Sequence, residues 1–288
     1  AENMREKIIN SCYNKHDIKE LLDAPISTFH AFCNNLLKNH GFTTPQYLGI
    51  KDNLSNNFQI LENKVIEQKI FNSFFQRFQK KNLNKYKDIF SIIDNKSYIV
   101  LNLIKKLCCN GILPKKQGWF NNGYNMLKGD ISSYMKIFEE INTLNKTPSG
   151  NTTDSDIAKS FKYKLRYKPY HIKPDKGHIF ENKTIRKDLI DKYFKQDRTE
   201  LINFMHDIYF QYLEYSINKN RLNFDFIVML AFVILYENHK LRENIAFEYV
   251  MVDEFQDTNE IQFMITLLLM SSNKLCVVGD WKQGIYGF

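Results

Sequence analysis

The chain contains 288 residues, of which 43% are hydrophobic and 14% aromatic, so it can bury a sizeable core and is long enough for two domains. No apolar run approaches the roughly 20 residues of a membrane span, and the first residues lack a signal-peptide core; we expect a cytoplasmic protein and no membrane partner. Five cysteines without a CxxC pair exclude a zinc ribbon and a disulfide framework. The net charge of +8 suits a polyanion partner, although abundant Lys and Asn are also typical of AT-rich genomes.

The chain is predicted to begin with a helix over residues 1–20. Residues 24–30 predict a short strand, and residues 31–37 begin a helix that Gly41 ends. Thr28 and His30 lie where the predicted strand meets this helix. Capping of the helix is the ordinary role of such residues, so this position alone assigns them no function.

The middle of the chain is predicted to be mostly helical. Residues 54–82 predict a long amphipathic helix whose apolar stripe belongs to a core rather than to a base-stacking surface. The stripe consists of Ile66, Ile70, Phe71, Phe74, Phe75 and Phe78. A second helical block runs from Ile89 to about Cys109 and is broken by Gly111 and Pro114, and another helix ends near Leu144.

A strongly basic segment follows a polar loop at residues 145–156. Residues 159–187 contain ten basic residues against two acidic ones, an excess that equals the net charge of the whole chain. Aromatic side chains are interleaved with them, among them Tyr163, Tyr167, Tyr170, His171 and Phe180. This composition is typical of a surface that grips phosphates and places rings near bases. The candidates for this contact are Lys162, Lys164, Arg166 and Lys168. The alternative is a solvated basic surface.

The last third of the chain predicts a buried helix and a βαβ unit. A helix is predicted from about residue 188, and residues 221–235 are apolar nearly all round, which predicts a helix enclosed between layers. A strand at 249–252, whose four residues suit a buried strand, a helix at 260–270 and a strand at 275–278 then form the βαβ unit. Both strands end in acidic residues, so we expect these acids at the carboxyl edge of a parallel sheet, where ligands bind.

The acids after the first strand, Asp253 and Glu254, have two interpretations. Asp and Glu suit the first turn of a helix because they favour the positive end of its dipole. Alternatively, they form part of a magnesium site, since Mg²⁺ in nucleotide enzymes is held by one or two carboxylates together with phosphate oxygens and waters. Neither interpretation is excluded by the two residues alone.

Separated segments resemble motifs of superfamily 1 DNA helicases of the UvrD/Rep type. Residues 253–259 (DEFQDTN) resemble motif II, or Walker B, and residues 278–288 (VGDWKQGIYGF) resemble motif III. Residues 27–32 (STFHAF) resemble the family's TFHSF motif. Residues 1–8 are similar to the end of motif Ia, and residues 222–225 to a segment ahead of motif II. The matches follow the order that the family has.

The resemblance implies an α/β fold, a partial P-loop (RecA-like) parallel sheet with a large, mostly α-helical inserted subdomain. Residues 1–44 and 216–288 would form the partial motor domain, 1A, and residues 45–215 the inserted subdomain, 1B. The long insert and Lys282 beside Gln283 favour the AddA/RecB recombination branch of the family.

The resemblance also implies chemical roles. Asp253 would coordinate Mg²⁺ through its water shell, Glu254 would polarise the water that attacks ATP, and Gln283 would sense the γ-phosphate. The residues implied at the nucleotide are Asp253, Glu254, Gln256, Asp280 and Gln283. The residues implied at DNA are Thr28, Phe29, His30, Tyr286 and Phe288. The implied cofactors of the full-length parent are ATP and Mg²⁺, and its implied partners are single-stranded or junction DNA and a helicase–nuclease subunit.

The motif of a phosphate-binding loop does not occur in this sequence. No GxxxxGK[ST] occurs in the chain, and this is the loop whose amides and Lys hold the β- and γ-phosphates. We therefore expect a segment of a longer helicase, and we expect this polypeptide alone to be inactive. The resemblance implies that the parent moves 3′–5′ and acts in DNA repair or recombination. The alternative is a non-enzymatic DNA-binding or subunit-docking module on a helicase scaffold.

Overall fold

The structure is a computed structural model that describes residues 24–93, 97–120 and 199–279, together with Glu6 and Asn10. The predicted helix over residues 1–20, the basic segment at 159–187 and the helix predicted to end near Leu144 lie outside this part. Of the helix predicted from about residue 188, the structure describes the residues from Thr199 onwards.

The described elements combine helices with short strand pairs. In chain order they are α1 (Phe29–His40), β1 (Gln59–Ile60), α2 (Lys64–Asn82), α3 (Lys87–Ile93), α4 (Ser97–Cys109), β2 (Leu113–Pro114), β3 (Trp119–Phe120), α5 (Thr199–Asn218), β4 (Arg221–Leu222), α6 (Phe224–Glu237), α7 (His239–Ile245), β5 (Phe247–Val252), α8 (Glu260–Leu268) and β6 (Met270–Val277). Single 3-10 turns lie at Gln46–Leu48 and Phe255–Asp257. The mixed α/β composition confirms the predicted class, and none of the described helices is both long and apolar enough to cross a membrane.

The core surrounds α6, as its apolar sequence predicts. This helix packs against α1, α4 and α8, and its buried residues lie on every side of its axis. They are Phe226, Ile227, Val228, Met229, Leu230, Ala231, Phe232, Val233 and Leu235. The prediction of a helix enclosed between layers is confirmed.

Helix α1 begins earlier than the sequence pattern indicates. The predicted strand over residues 24–30 is wrong: no strand forms at residues 24–28, and Phe29 starts the helix. The Thr28 hydroxyl accepts a hydrogen bond from the Ala31 amide at 3.2 Å, which satisfies one of the free amides of the first turn. Gly41 ends the helix with a φ of 69°, a backbone conformation that glycine adopts without steric cost. The ordinary capping role of Thr28 is thus confirmed.

Helix α2 begins at Lys64 and not at residue 54. Its N-cap is Asn63, whose side-chain oxygen accepts from the amides of Val65 and Ile66 at 2.8 and 3.2 Å. The preceding residues, predicted to be helical, instead contain β1. The local capping hydrogen bonds therefore decide where this helix starts.

The aromatic stripe of α2 lies in the core, as predicted. Phe71, Phe74, Phe75 and Phe78 are buried; the rings of Phe71 and Phe74 lie 4.8 and 5.1 Å from the ring of Tyr212 in α5. Ile66 was assigned to the same stripe, and that assignment is wrong because its side chain is 51% exposed. It lies in the first turn, ahead of the part of α2 that α5 covers.

The second predicted helical block is divided into α3 and α4. Gly111, with a φ of 65°, ends it as predicted, and β2 and β3 then pair as an antiparallel hairpin. His206 in α5 holds this hairpin: its Nε2 lies 2.7 Å from the Lys115 carbonyl and 3.0 Å from the Gly118 carbonyl. The hairpin is therefore bound to α5 by hydrogen bonds as well as by apolar packing.

The predicted βαβ unit is confirmed. Strands β5 and β6 are parallel, with Val250 opposite Leu275 and Val252 opposite Val277, and α8 connects them. Strand β1 also pairs in parallel, with β4. The β5 segment was expected to be buried, but Tyr249 and Met251 are 67% and 65% exposed. Alternate side chains of a strand point to opposite faces, and only the face with Val250 and Val252 packs on the core.

A pair of alanine substitutions on α2 tests which residues its buried face contains. Phe74→Ala removes a buried ring that contacts Tyr212, and we expect it to lower the free energy of unfolding by about 3–5 kcal/mol. Ile66→Ala is the control, and because its side chain is exposed, we expect a change below about 1 kcal/mol. Urea unfolding of the 288-residue chain, followed by circular dichroism, gives both values. Equal losses in the two variants would contradict this assignment.

Candidate nucleotide and nucleic-acid site

A turn rich in carboxylates follows β5. We call residues 253–257 the acidic turn; Asp253 and Glu254 are both exposed. Asp253 Oδ1 accepts a hydrogen bond from the Glu254 amide at 2.9 Å. Glu254 has φ 50° and ψ 43°, a left-handed conformation that costs free energy in a residue with a side chain. The surrounding contacts must therefore hold the acidic turn in this shape.

The two acids do not cap the helix that follows them. Helix α8 is capped by Asn259, whose Oδ1 accepts from the Gln262 amide at 3.0 Å, and the Gln262 side chain accepts from the Asn259 amide in return. Glu254 precedes the short turn at Phe255–Asp257 without a side-chain cap hydrogen bond. The helix-capping interpretation of the pair is wrong for α8, and the carboxylates face solvent.

The acidic turn is bound to the end of β6. Phe255 is buried, and its ring lies 5.7 Å from that of Phe263 in α8. Its amide donates to the Val278 carbonyl at 2.9 Å, and the Val278 amide donates to the Val252 carbonyl at 2.8 Å. The ends of both parallel strands are therefore joined through backbone hydrogen bonds on either side of Val278.

Gly279 lies against this turn with no room for a side chain. A Cβ atom at this position would lie 2.3 Å from Gln256 Oε1, 3.1 Å from the Phe255 nitrogen and 3.2 Å from the Gln256 nitrogen. A Cβ at this position would therefore require the Gln256 side chain to rotate away and the two backbone segments to separate by a few tenths of an ångström, so glycine favours so close an approach. The structure thus brings the first described residues of the predicted motif III onto motif II, as their shared sheet edge predicts.

The side chains of the acidic turn contact one another. Gln256 Nε2 donates to Glu254 Oε2, so the amide orients the Glu254 carboxylate. Carboxylate oxygens are ligands that Mg²⁺ prefers, usually one or two of them beside waters and phosphate oxygens, and the donor set of Asp253 and Glu254 fits this chemistry. Among the described residues, no group of three or more His, Cys, Asp and Glu side chains could hold a metal ion.

The predicted DNA-contacting residues of α1 lie at its first turn. Thr28 is exposed, and Phe29 is partly buried against the core. The His30 ring lies 5.2 Å from the Phe224 ring at 70°, an edge-on contact. The His30 side chain is exposed overall, but partial desolvation lowers the pKa of its imidazole, and the negative charge of Asp225 opposes that effect. The surroundings of His30 are therefore set by the start of α6.

A buried polar cluster beside α6 is not anticipated by the sequence patterns. Glu67 in α2 and Asn223 before α6 are each 3% exposed, and the Asn223 side chain donates to Glu67 Oε1 at 2.8 Å. Lys105 in α4 donates to Glu67 Oε2. The signal in the sequence is the position of Glu67, which lies at helical spacing from Phe71 on the apolar face of α2, where a charge requires a partner.

Several predicted site residues lie outside the described part of the chain. They are Asp280, Gln283, Tyr286 and Phe288 of the predicted motif III, and Lys162, Lys164, Arg166 and Lys168 of the basic segment.

A double-mutant cycle tests the close contact between Gly279 and the acidic turn. Because an added Cβ overlaps Gln256 Oε1, we expect Gly279→Ala to lower the free energy of unfolding by about 1–3 kcal/mol. Gln256→Ala removes the nearest atom, so we expect Gly279→Ala to cost less in that background, with a remainder from the two backbone nitrogens. Thermal and urea unfolding of the four proteins measure the coupling. Purely additive losses would be inconsistent with this packing.

The chain was compared with known families and proteins. The family "UvrD/REP helicase N-terminal domain" matches residues 1–288. The chain is 30% identical over 248 residues to the exonuclease/helicase subunit RexA of Lactococcus lactis subsp. cremoris, covering 84% of this chain and 18% of the relative. It is 29% identical over 237 residues to an ATP-dependent helicase/nuclease subunit of Lactococcus lactis subsp. lactis, covering 75% of this chain and 20% of the relative.

A shorter match links the chain to another group of helicases. Over 84 residues it is 39% identical to a probable DNA helicase II homolog of Mycoplasma capricolum, covering 28% of this chain and 12% of that protein. The chain spans about a fifth of the length of the two Lactococcus relatives. Because the family match extends over every residue, it confirms the resemblance seen in the motifs: the chain belongs to the UvrD/REP helicase N-terminal domain family, that of the UvrD-like superfamily 1 helicases.

Proposed function

We propose that this chain is a segment of an ATP-dependent DNA helicase that moves along single-stranded DNA, 3′ to 5′, in repair or recombination. The observation that carries the proposal is the packing of the acidic turn on Gly279 at the carboxyl ends of the two parallel strands β5 and β6. Ligands bind at this edge in α/β folds. Relatives named helicase and helicase/nuclease subunit support the proposal. The proposed location of the protein is the cytoplasm.

On the nucleotide side, Asp253 would hold Mg²⁺ and Glu254 would polarise the water that attacks ATP. The bound ion would neutralise charge that develops on the phosphate oxygens. The Glu254 carboxylate already accepts a hydrogen bond from Gln256, so its orientation is set before substrate arrives, which lowers the cost of positioning. Asp280 and Gln283, which lie outside the described residues, would extend this site, and Gln283 would sense the γ-phosphate.

On the DNA side, the proposed contacts come from the first turn of α1 and from motif III. Thr28 and His30 are exposed at that turn; the Thr28 hydroxyl accepts from Ala31 and keeps its own proton for donation to a phosphate oxygen. Phe29, Tyr286 and Phe288 complete the proposed contacts. Aromatic rings stack on bases with little sequence preference, which suits a motor that moves along any sequence.

The proposed organisation assigns residues 1–44 and 216–288 to the motor and residues 45–215 to an inserted helical subdomain. Helix α6 of the proposed motor packs on α1 and α8 of the same part and also on α4 of the insert. The proposed parent acts on single-stranded or junction DNA with a nuclease partner; the names of the two Lactococcus relatives, which combine helicase with a nuclease or exonuclease, support that partner.

An ATPase assay tests the proposed nucleotide site. Because no GxxxxGK[ST] loop occurs in the sequence, we expect the 288-residue chain alone to show no Mg²⁺- and DNA-stimulated ATP hydrolysis. In a longer polypeptide that joins this chain to such a loop and to a second motor domain, we expect hydrolysis. There, Glu254→Gln should lower kcat at least 100-fold, roughly the scale of a lost catalytic base.

The matched control is Glu62→Gln, which neutralises an exposed glutamate ahead of α2 and should leave kcat within about twofold, as expected of a surface change away from the site. Hydrolysis by the isolated chain would contradict the proposed dependence on the missing loop. If the longer polypeptide also lacks hydrolysis but binds DNA, the non-enzymatic DNA-binding module is the better description.

A charge-reversal experiment tests the basic segment. Changing Lys162, Lys164, Arg166 and Lys168 to Glu removes four candidate phosphate contacts. We expect weaker binding to a dT oligonucleotide and a flatter dependence of log K on log salt, by up to about 3, since each contact on a single strand contributes about 0.7. Fluorescence anisotropy at several salt concentrations measures both quantities.

The control for total charge reverses four exposed lysines elsewhere, Lys51, Lys80, Lys81 and Lys87. Its net charge matches that of the test variant, so a loss specific to the basic segment separates local contact from long-range attraction. An unchanged affinity and salt slope in the test variant would identify the segment as solvated surface.

A further inference from the structure

Glu67, Lys105, Asn223, Asp225 and Cys109 form what we call the buried polar bridge. It joins three helices: Glu67 lies in α2, Lys105 and Cys109 lie in α4, and Asn223 and Asp225 lie at the start of α6. Asn223 Nδ2 donates to Glu67 Oε1 at 2.8 Å, and Lys105 Nζ donates to Glu67 Oε2. Both oxygens of a carboxylate removed from water are therefore paired.

Asn223 connects this pairing to the start of α6. Its Oδ1 accepts from the Phe226 amide at 2.8 Å, which makes it the N-cap of the helix, while its Nδ2 contacts Glu67. Rotation of the amide would break both hydrogen bonds, and each buried polar group left without a partner is costly. The first turn of α6 is thus tied to α2.

Asp225 lies in that first turn and extends the bridge to α4. Cys109 Sγ lies 3.6 Å from Asp225 Oδ1. Burial raises the pKa of the Asp225 carboxyl, and the positive charge of Lys105 opposes that effect. Lys105 thus pairs with the buried carboxylate of Glu67 and also acts through its charge on the partly buried carboxylate of Asp225.

The same turn forms the surroundings of His30. Phe224 packs edge-on against the His30 ring, and the negative charge of Asp225, the next residue in α6, acts on the imidazole. The charges of Lys105 in α4 and Glu67 in α2 act in turn on the Asp225 carboxyl, Lys105 lowering its pKa and Glu67 raising it. A shift of the first turn of α6 would therefore move both the ring that supports His30 and the charge beside it.

We propose that the buried polar bridge is a positioning device for His30, through which α2 and α4 hold Phe224 and Asp225 against the imidazole that contacts DNA. This inference rests on the proposed DNA contact of His30. Glu67, Asn223 and Asp225 are positioning residues because they act through the histidine and not on the nucleic acid itself. In the proposed organisation, α2 and α4 belong to the insert and His30 to the motor, so the bridge couples the two parts.

An exchange of chemical groups tests the bridge without removing the cap of α6. In Asn223→Asp, a carboxylate oxygen still accepts from the Phe226 amide, but the donor to Glu67 is replaced by a second carboxylate, so the bridge breaks. In the double variant N223D/E67Q, the new amide at position 67 donates to the new carboxylate at position 223, and the hydrogen bond is restored with its direction reversed. Asp225→Asn is a further variant, which removes the charge beside His30 and keeps the shape of the side chain.

The first measurement is the NMR titration of His30 in the 288-residue chain without DNA. We expect N223D to shift the His30 ring resonances, because the Phe224 ring moves, and N223D/E67Q to return them towards those of the unchanged chain. In D225N we expect the pKa of His30 to fall further below its ordinary value, because burial is no longer opposed by a nearby charge. Circular dichroism defines a temperature at which each variant is folded.

The second measurement is the affinity for a dT oligonucleotide by fluorescence anisotropy. We expect N223D to weaken binding by between about two- and thirtyfold, the range of coupling effects away from a ligand, and N223D/E67Q to recover most of the loss. In a His30→Ala background, N223D should cause no additional loss. Glu62→Gln serves again as the surface control.

The two measurements separate the inference from the proposed function. Unchanged His30 resonances in N223D and an unchanged His30 pKa in D225N would overturn the positioning role, whatever the DNA affinity. If the resonances and pKa shift as expected but His30→Ala leaves the affinity intact, the bridge positions His30 and the proposed DNA contact of His30 is wrong. An additional loss from N223D in the His30→Ala background would show that the bridge does not act on DNA through His30.

Discussion

The described part of this chain depends on the burial of α6, a helix that is apolar on every side. Each large apolar side chain that leaves water contributes about 1.5–3 kcal/mol, so a helix of this kind is stable only when other elements enclose it. Helices α1, α4 and α8 pack against it. Because α1 carries His30 and α8 connects β5 to β6, the enclosure of α6 also places the two candidate surfaces of the molecule.

The two candidate regions are the sheet edge with its acidic turn and the start of α6, a helix whose enclosure leaves its first polar groups to be satisfied. At its start, Asn223 caps the helix and pairs with the buried Glu67, which keeps a carboxylate inside the protein at an acceptable cost because it is fully hydrogen-bonded. At the sheet edge, Phe255 anchors the acidic turn in the core while its charged neighbours face solvent. In both places apolar packing and local hydrogen bonds hold exposed polar side chains in a defined position.

The features that could be predicted are those whose physical cause lies within a few residues. The Thr28 cap and the Gly41 stop are of this kind, as is the all-round apolar pattern of α6. The failures have distant causes. Residues 24–30 have strand-like composition but pair with no strand in the described part of the chain. Ile66 matches the apolar period of α2, but it is exposed because it lies beyond the part of α2 that α5 covers. The apolar period identifies which face of a helix is apolar, but it does not show how much of that face other elements bury.

The sequence by itself determined the family motifs and their order, the buried helix and the parallel βαβ unit, because motif chemistry and hydrophobic period are local properties of the chain. Only the tertiary structure decided which atoms meet. The close approach of Gly279 to the acidic turn, the burial of Glu67 against Asn223 and the exposure of one face of β5 depend on segments far apart in the sequence. Such contacts follow from how whole elements pack, which no window of neighbouring residues encodes.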